Sequence, residues 1–305
     1  MIDVVIVNWN SGNYLKQCVD SLLVANNVKY IQTIFIIDNN SADFSFEIIS
    51  SHSKIEILKN GENKGFAKAC NQGFKLCNAS YVLLLNPDAQ AHATTLEDCI
   101  SFMDVREEVD ILGCRLINDN GNTSYSCARF PTPLRFFYDI TGLSKIAPKI
   151  FTPAILMTGW DHKESRFVDE VMGAFMFMRF TIFNRIGYFD ERYFVYYEEL
   201  DFSKRLAEQG GKSFFNPLIS ATHSGEGTTH SIKALRLCLN LNSRLKYCKK
   251  HFSQSGYFFV WFCTFFIESV TRILFSLLKL RFKETKEIVS GYKLLILERR
   301  KSVSK

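Results

Sequence analysis

The chain has 305 residues, of which 47% are hydrophobic and 22% charged, and this balance excludes an intrinsically disordered protein. Its nine cysteines include no Cys-x-x-Cys pair, which excludes a disulfide framework and a zinc site of the usual spacing. The net charge of +6 is uneven, because residues 233–305 hold 16 basic and 4 acidic side chains and the rest is net acidic. Nucleic acid is excluded as the partner of this basic part, since its charges accompany long apolar helical patterns without a recognition motif.

The first hundred residues alternate strand and helix patterns. Short apolar runs predict strands at 4–8, 31–39, 54–60 and 81–88. The helical period of apolar residues predicts helices at 13–25, 65–77 and 94–105. This alternation is typical of an α/β protein with a mostly parallel, Rossmann-like sheet flanked by helices.

Polar residues follow the predicted strands, at the sheet edge where such proteins bind ligands. The clusters are Asn8 with Asn10, Asp38 with its neighbouring asparagines, Asn60 with Gly61, and Asn86 with Asp88. The sequence therefore predicts one binding surface along the carboxyl ends of the strands.

The second half of the chain is less regular. Apolar runs predict strands at 110–118, 124–130 and 171–180, and a short helix at 181–187. Between them, residues 131–168 have no strong period, and we expect a long, partly mobile excursion that contributes acceptor contacts or a lid.

The C-terminal part predicts helices of a different kind. Residues 232–252 form an amphipathic basic pattern, and residues 257–282 are strongly apolar but contain Glu268 and Arg272. The uninterrupted apolar run is about half of the roughly 20 residues that a spanning helix needs. Aromatic residues with flanking basic ones favour a helix lying in a membrane interface. The alternatives are a helical hairpin packed on the core or on a second copy of the chain and, less favoured, a membrane span.

Asp88 is a candidate metal ligand. A carboxylate just beyond a buried strand costs desolvation unless something compensates its charge. Mg²⁺ or Mn²⁺ would compensate it and bridge to substrate phosphates. The alternative is a plain turn, because Asn-Pro and Asp are turn formers.

Asp38 admits two interpretations. It can cap the following segment together with Ser41, or it can bind a nucleobase or ribose at the sheet edge. The chain contains neither a Gly-x-Gly-x-x-Gly fingerprint nor a Gly-Lys-Ser/Thr phosphate loop. Dinucleotide-binding and phosphate-loop enzymes are therefore disfavoured.

The stretch at 188–205 sets three acids beside aromatic residues. Glu198 and Glu199 are adjacent, so on a helix they point about 100° apart, whereas Asp201 can pair with Arg205. A glutamate desolvated by aromatic walls gains proton affinity and suits general base catalysis. The alternative is a solvated helix start, where acids favour the helix dipole.

His223 follows the strand-like run at 214–221 in a polar, glycine-bearing loop. It can act as a metal ligand or a phosphate contact, or it can be an ordinary loop histidine.

Six stretches occur in an order that resembles a known family. They are VVIVNWNSGNYL, IIDNNSAD, NGENKGFAKACNQGF, VLLLNPDA, the run from 171 to 210, and ATHSGEGT. Spanning residues 4–230, they resemble the family 2 glycosyltransferases with a GT-A fold, most closely the bacterial rhamnosyltransferase-like branch.

The resemblance implies an inverting, metal-dependent transfer from a nucleotide-sugar to an acceptor hydroxyl. The donor it favours is dTDP-L-rhamnose, the acceptor a lipid-linked glycan of the cell surface such as O-antigen, and the metal Mg²⁺ or Mn²⁺. We expect a GT-A domain at 1–230 and a helical, membrane-associating extension at 231–305. The enzyme would act as a peripheral protein at the cytoplasmic face of the bacterial inner membrane.

The resemblance also assigns residues by position. The nucleotide-sugar site would take Asn8, Asn10, Asp38, Gly65, Asn71 and Asn86, and the metal would bind Asp88 and His223. Glu199 occupies the position of the base, and Glu198 would contact the acceptor. Because aspartate is commoner than glutamate at the base position, the choice between Glu199 and Glu198 stays open, with Glu199 favoured.

Other functions are compatible with parts of this pattern. The donor can be a different hexose or an N-acetylhexosamine, or the protein can bind nucleotide-sugar without catalysis. A nucleotidyltransferase shares the α/β logic, but the chain has no glycine-rich, basic phosphate loop near its N-terminus.

Overall fold

The structure is a computed structural model that describes residues 1–225 and 233–303. Within these residues the strands are β1 Ile2–Asn8, β2 Ile31–Asp38, β3 Ile55–Lys59, β4 Tyr81–Leu85, β5 Ala89–Ala91, β6 Ile111–Ile117, β7 Cys127–Ala128, β8 Arg166–Val168, β9 Glu170–Val171, β10 Phe175–Arg179 and β11 Ser213–His223. The helices are α1 Asn13–Leu23, α2 Ala25–Val28, α3 Phe66–Phe74, α4 Thr95–Val105, α5 Pro133–Thr141, α6 Leu143–Ile146, α7 Ile182–Ile186, α8 Glu198–Glu208, α9 Lys233–His251, α10 Gln254–Phe262, α11 Ser269–Leu278 and α12 Phe282–Val303. A 3₁₀ turn at Ser45–Ile48 and a π-helical segment at Cys263–Glu268 complete them.

Burial explains why the N-terminal elements form as the sequence predicts. All seven residues of β1 and all five of β4 are buried, which requires layers of side chains on both faces of the sheet. Helix α1 buries Leu15, Cys18, Val19 and Leu22, the apolar stripe that its sequence showed. Two apolar clusters, one on each side of the sheet, form the core.

The main sheet is mixed. Nine of the described strands form it, in the order β3-β2-β1-β4-β10-β6-β11-β5, with β8 beside β11. The neighbours β3, β2, β1 and β4 run parallel, and β6 runs parallel to β11. Strand β10 lies antiparallel between β4 and β6. The parallel half brings the ends of β1, β2 and β4 to one edge, as predicted.

Three predicted elements differ in the structure. The strand predicted at 124–130 is only the two-residue β7, which pairs with β9. The strand predicted at 171–180 is broken between β9 and β10 by residues 172–174. The stretch predicted to be irregular, 131–168, contains α5, whose N-terminus is capped by Thr132, with Pro133 in its first turn.

The chain divides into two compact units. Within the described residues, the first comprises 1–129, 156–191 and 198–225 and holds the sheets. The second comprises 130–155, 192–197 and 233–303 and holds α5, α6 and α9 to α12. The predicted domain boundary at residue 230 lies outside the described residues.

Candidate active site

The ends of β1 and β2 are joined by side-chain hydrogen bonds. Asn8 and Asp38 are paired in the parallel register, and both are buried. The Asn8 amide donates to Oδ1 of Asp38 at 2.8 Å and to Oγ of Ser45 at 2.8 Å. The backbone N–H of Ser41 donates to Oδ2 of Asp38 at 3.2 Å. These two predicted site residues therefore hold the sheet edge together.

Asn10 ties the loop after β1 to the loop after β2. It adopts a left-handed backbone with φ of 53°. Its N–H donates to Oγ of Ser41 at 3.0 Å, and its side-chain oxygen accepts from the N–H of Ala42 at 2.7 Å. The two loops thus form one connected rim at the sheet edge.

Gly65 lies at the start of α3 with φ of 86°, a conformation that favours glycine. Its N–H donates to the side chain of Asn63 at 2.9 Å, and its carbonyl accepts from the amide of Asn39 at 3.3 Å. This network fixes the loop before α3 against the loop after β2, on the same rim.

Asn71 forms a buried strut within the first unit. Its amide donates to the carbonyl of Phe189 at 2.9 Å, and its side-chain oxygen accepts from the N–H of Phe189 at 3.0 Å. The amide also reaches Glu191 at 3.1 Å. Because these bonds occupy the side chain, they give Asn71 the role of fixing the segment at 189–191.

Asp88 and His223 meet across the sheet. Asp88 lies in the turn between β4 and β5, and β5 pairs antiparallel with the end of β11, opposing Ala89 to His223. Oδ1 of Asp88 lies 3.3 Å from Nε2 of His223, and both side chains are largely buried. The Asp88 carbonyl also accepts from the N–H of Ser224 at 3.1 Å. Two residues predicted as metal ligands, 135 positions apart in the sequence, are thus brought together.

The donor set of this pair fits a divalent cation. A carboxylate oxygen and an imidazole nitrogen at this separation can share one ion. No group of three or more His, Cys, Asp or Glu side chains in the described residues is arranged to hold a metal. The pair therefore suits an ion whose remaining ligands come from substrate and water.

The turn carrying Asn86 is held from two sides. The N–H of Asn86 donates to the carbonyl of Ala174 at 3.1 Å, and its carbonyl accepts from the thiol of Cys18 at 3.5 Å. Burial, and secondarily the charge of Asp88, raise the pKa of the Cys18 thiol far above its ordinary value. Cys18 is therefore a neutral structural donor.

The backbone before α8 is unusual. Tyr196 and Tyr197 both adopt left-handed conformations, with φ of 68° and 71°. For non-glycine residues this costs about 1–3 kcal/mol each and is concentrated at functional sites. The strained turn directs the chain into α8, which begins at Glu198.

Glu199 is held by contacts within the first unit. Its carboxylate accepts hydrogen bonds from the N–H of Gly173 and from the side chain of Glu198. A Cβ atom at Gly173 would overlap Oε1 of Glu199 and approach its Cγ to 3.1 Å. Burial raises the pKa of Glu199, although these hydrogen bonds work in the opposite direction. A raised carboxyl pKa suits a general base.

Gly173 connects the base candidate to the metal pair. It precedes Ala174, whose carbonyl accepts from Asn86, and Asn86 lies two residues before Asp88. Glu199 and the Asp88–His223 pair are therefore linked through three contacts: Glu199 with Gly173, Ala174 with Asn86, and Asp88 with His223.

Glu198 and Glu170 complete a carboxyl cluster. Glu198 is 1% exposed, and a hydrogen bond between its carboxyl group and that of Glu199 requires that one of them carry a proton. Glu170 in β9 is also buried, and its pKa is raised well above its ordinary value by burial, then by the charge of Glu199. Glu198 therefore lies where its carboxyl group can orient that of Glu199.

The remaining acid is structural, as predicted. Asp201 is fully buried, and its Oδ2 accepts from Nε of Arg205 at 2.9 Å. Arg205 in turn donates to the carbonyl of Tyr188 at 2.7 Å. This pair fixes α8 to the segment before it.

Most of the neighbouring aromatic rings are core residues. Phe189 packs on Phe74 and Phe202 with centroid distances of 5.3 and 5.1 Å. Tyr193 and Tyr197 are also buried. Tyr188, Phe194 and Tyr196 of this stretch are partly or fully exposed.

Two residues of the site, Gly173 and Glu170, were not predicted from the sequence. Gly173 lies inside a run predicted as a strand, where an isolated glycine marks a close backbone approach. Glu170 is a single acid between apolar runs, and a buried position for it was not evident from the period. The glycine carried a usable signal, and the glutamate did not.

Known families and proteins resemble this chain over most of its length. The sequence model of "Glycosyl transferase family 2" matches residues 3–187. The chain is 25% identical to the rhamnosyltransferase WbbL of Escherichia coli (strain K12) over 260 residues, which is 81% of this chain and 92% of that protein. It is 22% identical over 239 residues to the N-acetylglucosaminyl-diphospho-decaprenol L-rhamnosyltransferase of Mycobacterium tuberculosis, covering 73% and 76% of the two chains.

This chain matches a smaller part of two further known proteins. The low-salt glycan biosynthesis hexosyltransferase Agl10 of Haloferax volcanii is 25% identical over 214 residues, 68% of this chain and 62% of its own length. A crystal structure of GalNAc-T7 with UDP, GalNAc and Mn²⁺ has a TM-score of 0.54 at 16% identity, covering 76% of this chain and 46% of that one. The chain thus spans less than two thirds of both. The structural likeness confirms the GT-A fold, and the sequence match shows that this chain belongs to glycosyl transferase family 2.

Proposed function

We propose that the protein is an inverting glycosyltransferase that moves a hexosyl group from a nucleotide-sugar to a hydroxyl of a lipid-linked glycan. The observation that carries the proposal is the joining of the Asp88–His223 pair to Glu199 through Asn86, Ala174 and Gly173. A charge site for a departing diphosphate and a carboxylate base are the two components that displacement at an anomeric carbon requires.

The chain's own residues have defined tasks in this reaction. Asp88 and His223 would hold the Mg²⁺ or Mn²⁺ ion, which would offset negative charge on the leaving diphosphate. Glu199 takes the proton from the acceptor hydroxyl as that oxygen attacks, and Glu198 orients the Glu199 carboxylate. The rim built from Asn8, Asn10, Asp38 and Gly65 shapes the nucleotide site.

We propose L-rhamnose, carried by dTDP, as the donor sugar. Two relatives named as rhamnosyltransferases match 73% or more of this chain, and the mycobacterial one is named for an acceptor linked to decaprenol diphosphate. Another hexose or an N-acetylhexosamine is the second candidate, since Agl10 is named as a hexosyltransferase and the GalNAc-T7 structure holds GalNAc.

A lipid-linked acceptor places the enzyme at a membrane. We propose that it works as a peripheral protein at the cytoplasmic face of the bacterial inner membrane and extends a cell-surface polysaccharide such as O-antigen. The basic, apolar helices at 233–303 support this location.

A panel of nucleotide-sugars tests the proposal. The purified chain is incubated with Mn²⁺, a lipid-diphosphate glycan acceptor and each donor in turn. We expect transfer from dTDP-L-rhamnose, with the anomeric configuration of the product opposite to that of the donor. Transfer with retained configuration, or nucleotide-sugar binding without transfer from any donor, would contradict the proposal.

A further inference from the structure

One helical run carries an exposed apolar face along its whole length. Among the described residues, Gln254–Leu278 is the run long and apolar enough to cross a membrane by length and composition alone. Large apolar residues, each at least half exposed, recur at every fourth position. This apolar stripe consists of Phe258, Phe262, Phe266, Val270, Leu274 and Leu278.

The opposite face of the same run is buried within the second unit. Each buried residue of this face lies two positions after a residue of the stripe, which on an α-helix is a rotation of about 200°. These residues are Val260, Thr264, Glu268 and Ser276. The run therefore has one side packed within the second unit and a broad exposed apolar side, which includes the neighbouring Phe259 and Phe275.

An ion cluster marks the middle of the buried face. The Glu268 carboxylate pairs with the buried Arg244 of α9, and Arg272 donates to it at 2.7 and 2.9 Å. Arg244 also donates to Oγ1 of Thr264 at 2.9 Å. If the run spanned the membrane, this ion cluster would lie in the hydrocarbon core, and the basic helix α9, which is paired to it, would have to lie there as well. The ion cluster therefore favours a helix that stays parallel to the membrane surface.

The charge at the C-terminal end of the stripe indicates which surface covers it. Lys279, Arg281 and Lys283 are exposed and alternate with the exposed Leu280 and Phe282. Basic residues interleaved with apolar ones suit the boundary between anionic headgroups and acyl chains.

We propose that the apolar stripe is an in-plane membrane anchor that binds an anionic bilayer, with the ion cluster facing the protein. The inference deepens the proposed function, on which it rests for the lipid-linked acceptor. Docking on the bilayer would hold the enzyme near an acceptor that diffuses in the same plane.

Vesicle flotation tests the anchor with the full-length chain. The vesicles are phosphatidylcholine, with or without one quarter phosphatidylglycerol, at 0.1 and 0.5 M NaCl. The stripe variant is Phe258→Ser, Phe262→Ser and Phe266→Ser. The control variant is Val105→Ser, Ile150→Ser and Leu218→Ser, three apolar residues elsewhere that are even more exposed than the three phenylalanines.

We expect wild type and control to float with the anionic vesicles at 0.1 M NaCl, and less at 0.5 M because salt screens the basic residues. The stripe variant should partition at least roughly tenfold less, since three large apolar contacts are lost. Equal flotation of the stripe variant would overturn the proposal. The proposal would also be overturned if wild type fails to float and is a dimer, while the stripe variant is a monomer. The stripe would then join two copies of the chain.

A C-terminal epitope distinguishes an in-plane helix from a spanning one. Protease added outside the vesicles should remove the epitope from the bound wild type, whereas a protected epitope would indicate a span. Transfer to a short, soluble acceptor should be unchanged in the stripe variant. Flotation without any transfer would contradict the proposed reaction and leave the anchor standing.

Discussion

The carboxylate of Glu199 lies directly against the backbone of Gly173, which donates a hydrogen bond to it. No side chain fits at position 173 without moving this carboxylate. The carbonyl of the next residue, Ala174, accepts a hydrogen bond from Asn86, which lies two residues before the candidate metal ligand Asp88. Gly173 therefore connects the candidate base Glu199 to the turn that carries Asp88.

Gly173→Ala should inactivate the enzyme without unfolding it. The added methyl group meets the mobile end of Glu199, so the side chain can yield, and φ at this position is not in the left-handed region. A carboxylate displaced by about 1 Å can cost roughly 10²-fold in kcat. Steady-state kinetics and thermal unfolding check both parts. Gly159→Ala, which meets nothing within 4 Å, is the matched control and should behave as wild type.

Asp88→Asn should abolish the response to metal. Neutralising the carboxylate removes the negative ligand of the pair with His223, so transfer should fall by roughly 10²-fold or more and no longer rise with Mn²⁺. Activity across a Mn²⁺ titration, with donor binding measured by calorimetry, checks this. Asp20→Asn removes an exposed carboxylate paired with Lys16 and should leave the titration unchanged. Metal activation that survives in Asp88→Asn would place the ion elsewhere.

The pH dependence of kcat/KM should report the Glu199 base. Burial raises its pKa above the ordinary value of 4.5, and the base must be ionised to act. Activity should therefore rise with pH through a midpoint above 4.5. If the acid limb of the kcat/KM profile has its midpoint at or below 4.5, Glu199 is not the base that must be ionised in the free enzyme.

Glu170→Gln should stabilise the protein at alkaline pH. The folded state raises the pKa of Glu170 through burial and the charge of Glu199, so the folded state favours its protonated form. The stability linked to this proton is present below the unfolded pKa, near 4.5, and is lost as the pH rises through the folded value. The melting temperature of Glu170→Gln should be higher than that of wild type at pH 8 and equal to it at pH 4. A lower melting temperature of Glu170→Gln at pH 8 would contradict the conclusion that the folded protein favours the protonated form of Glu170.

Removing Glu268 should destabilise the second unit strongly. Burial alone would raise its pKa, but Arg244 and Arg272 together hold that pKa below its ordinary value. Its contribution is therefore present above pH 4.5 and is lost as the pH falls through the folded pKa. Glu268→Ala leaves Arg244 buried without its main counter-charge and should cost about 3–5 kcal/mol in denaturant unfolding. Replacing the pair together, Arg244→Met with Glu268→Leu, should recover most of the loss, which a merely disruptive substitution would not.

The parallel half of the fold was predictable because its signals are local. Each strand of β1 to β4 is a short run dominated by apolar residues. Turn-forming residues or a glycine follow each run. The insertion of β10 antiparallel between β4 and β6 depends on long-range pairing that an apolar run does not encode. For the same reason the break at 172–174, where Gly173 contacts the base, was not predicted.

Beyond the parallel half of the sheet, local signals for helices are also present in the sequence. Thr132 followed by Pro133, and Gly142 ten residues later, are start and stop signals of α5. Helix α12 contains Gly291, where a Cβ would come within 2.9 Å of the Ala234 carbonyl, so the glycine permits close packing on α9. The pairing of Asp88 with His223 followed from the resemblance, because no local pattern joins residues so far apart.

Single-turnover kinetics of Glu199→Gln and Glu198→Gln test whether Glu199 is the base of sugar transfer. With donor, Mn²⁺ and acceptor at saturation, we predict that Glu199→Gln slows transfer by about 10²–10⁴-fold while donor affinity stays near that of wild type. Glu198→Gln should have a smaller effect, because it keeps a hydrogen-bond donor beside Glu199. Transfer by Glu199→Gln at the wild-type rate would contradict the account.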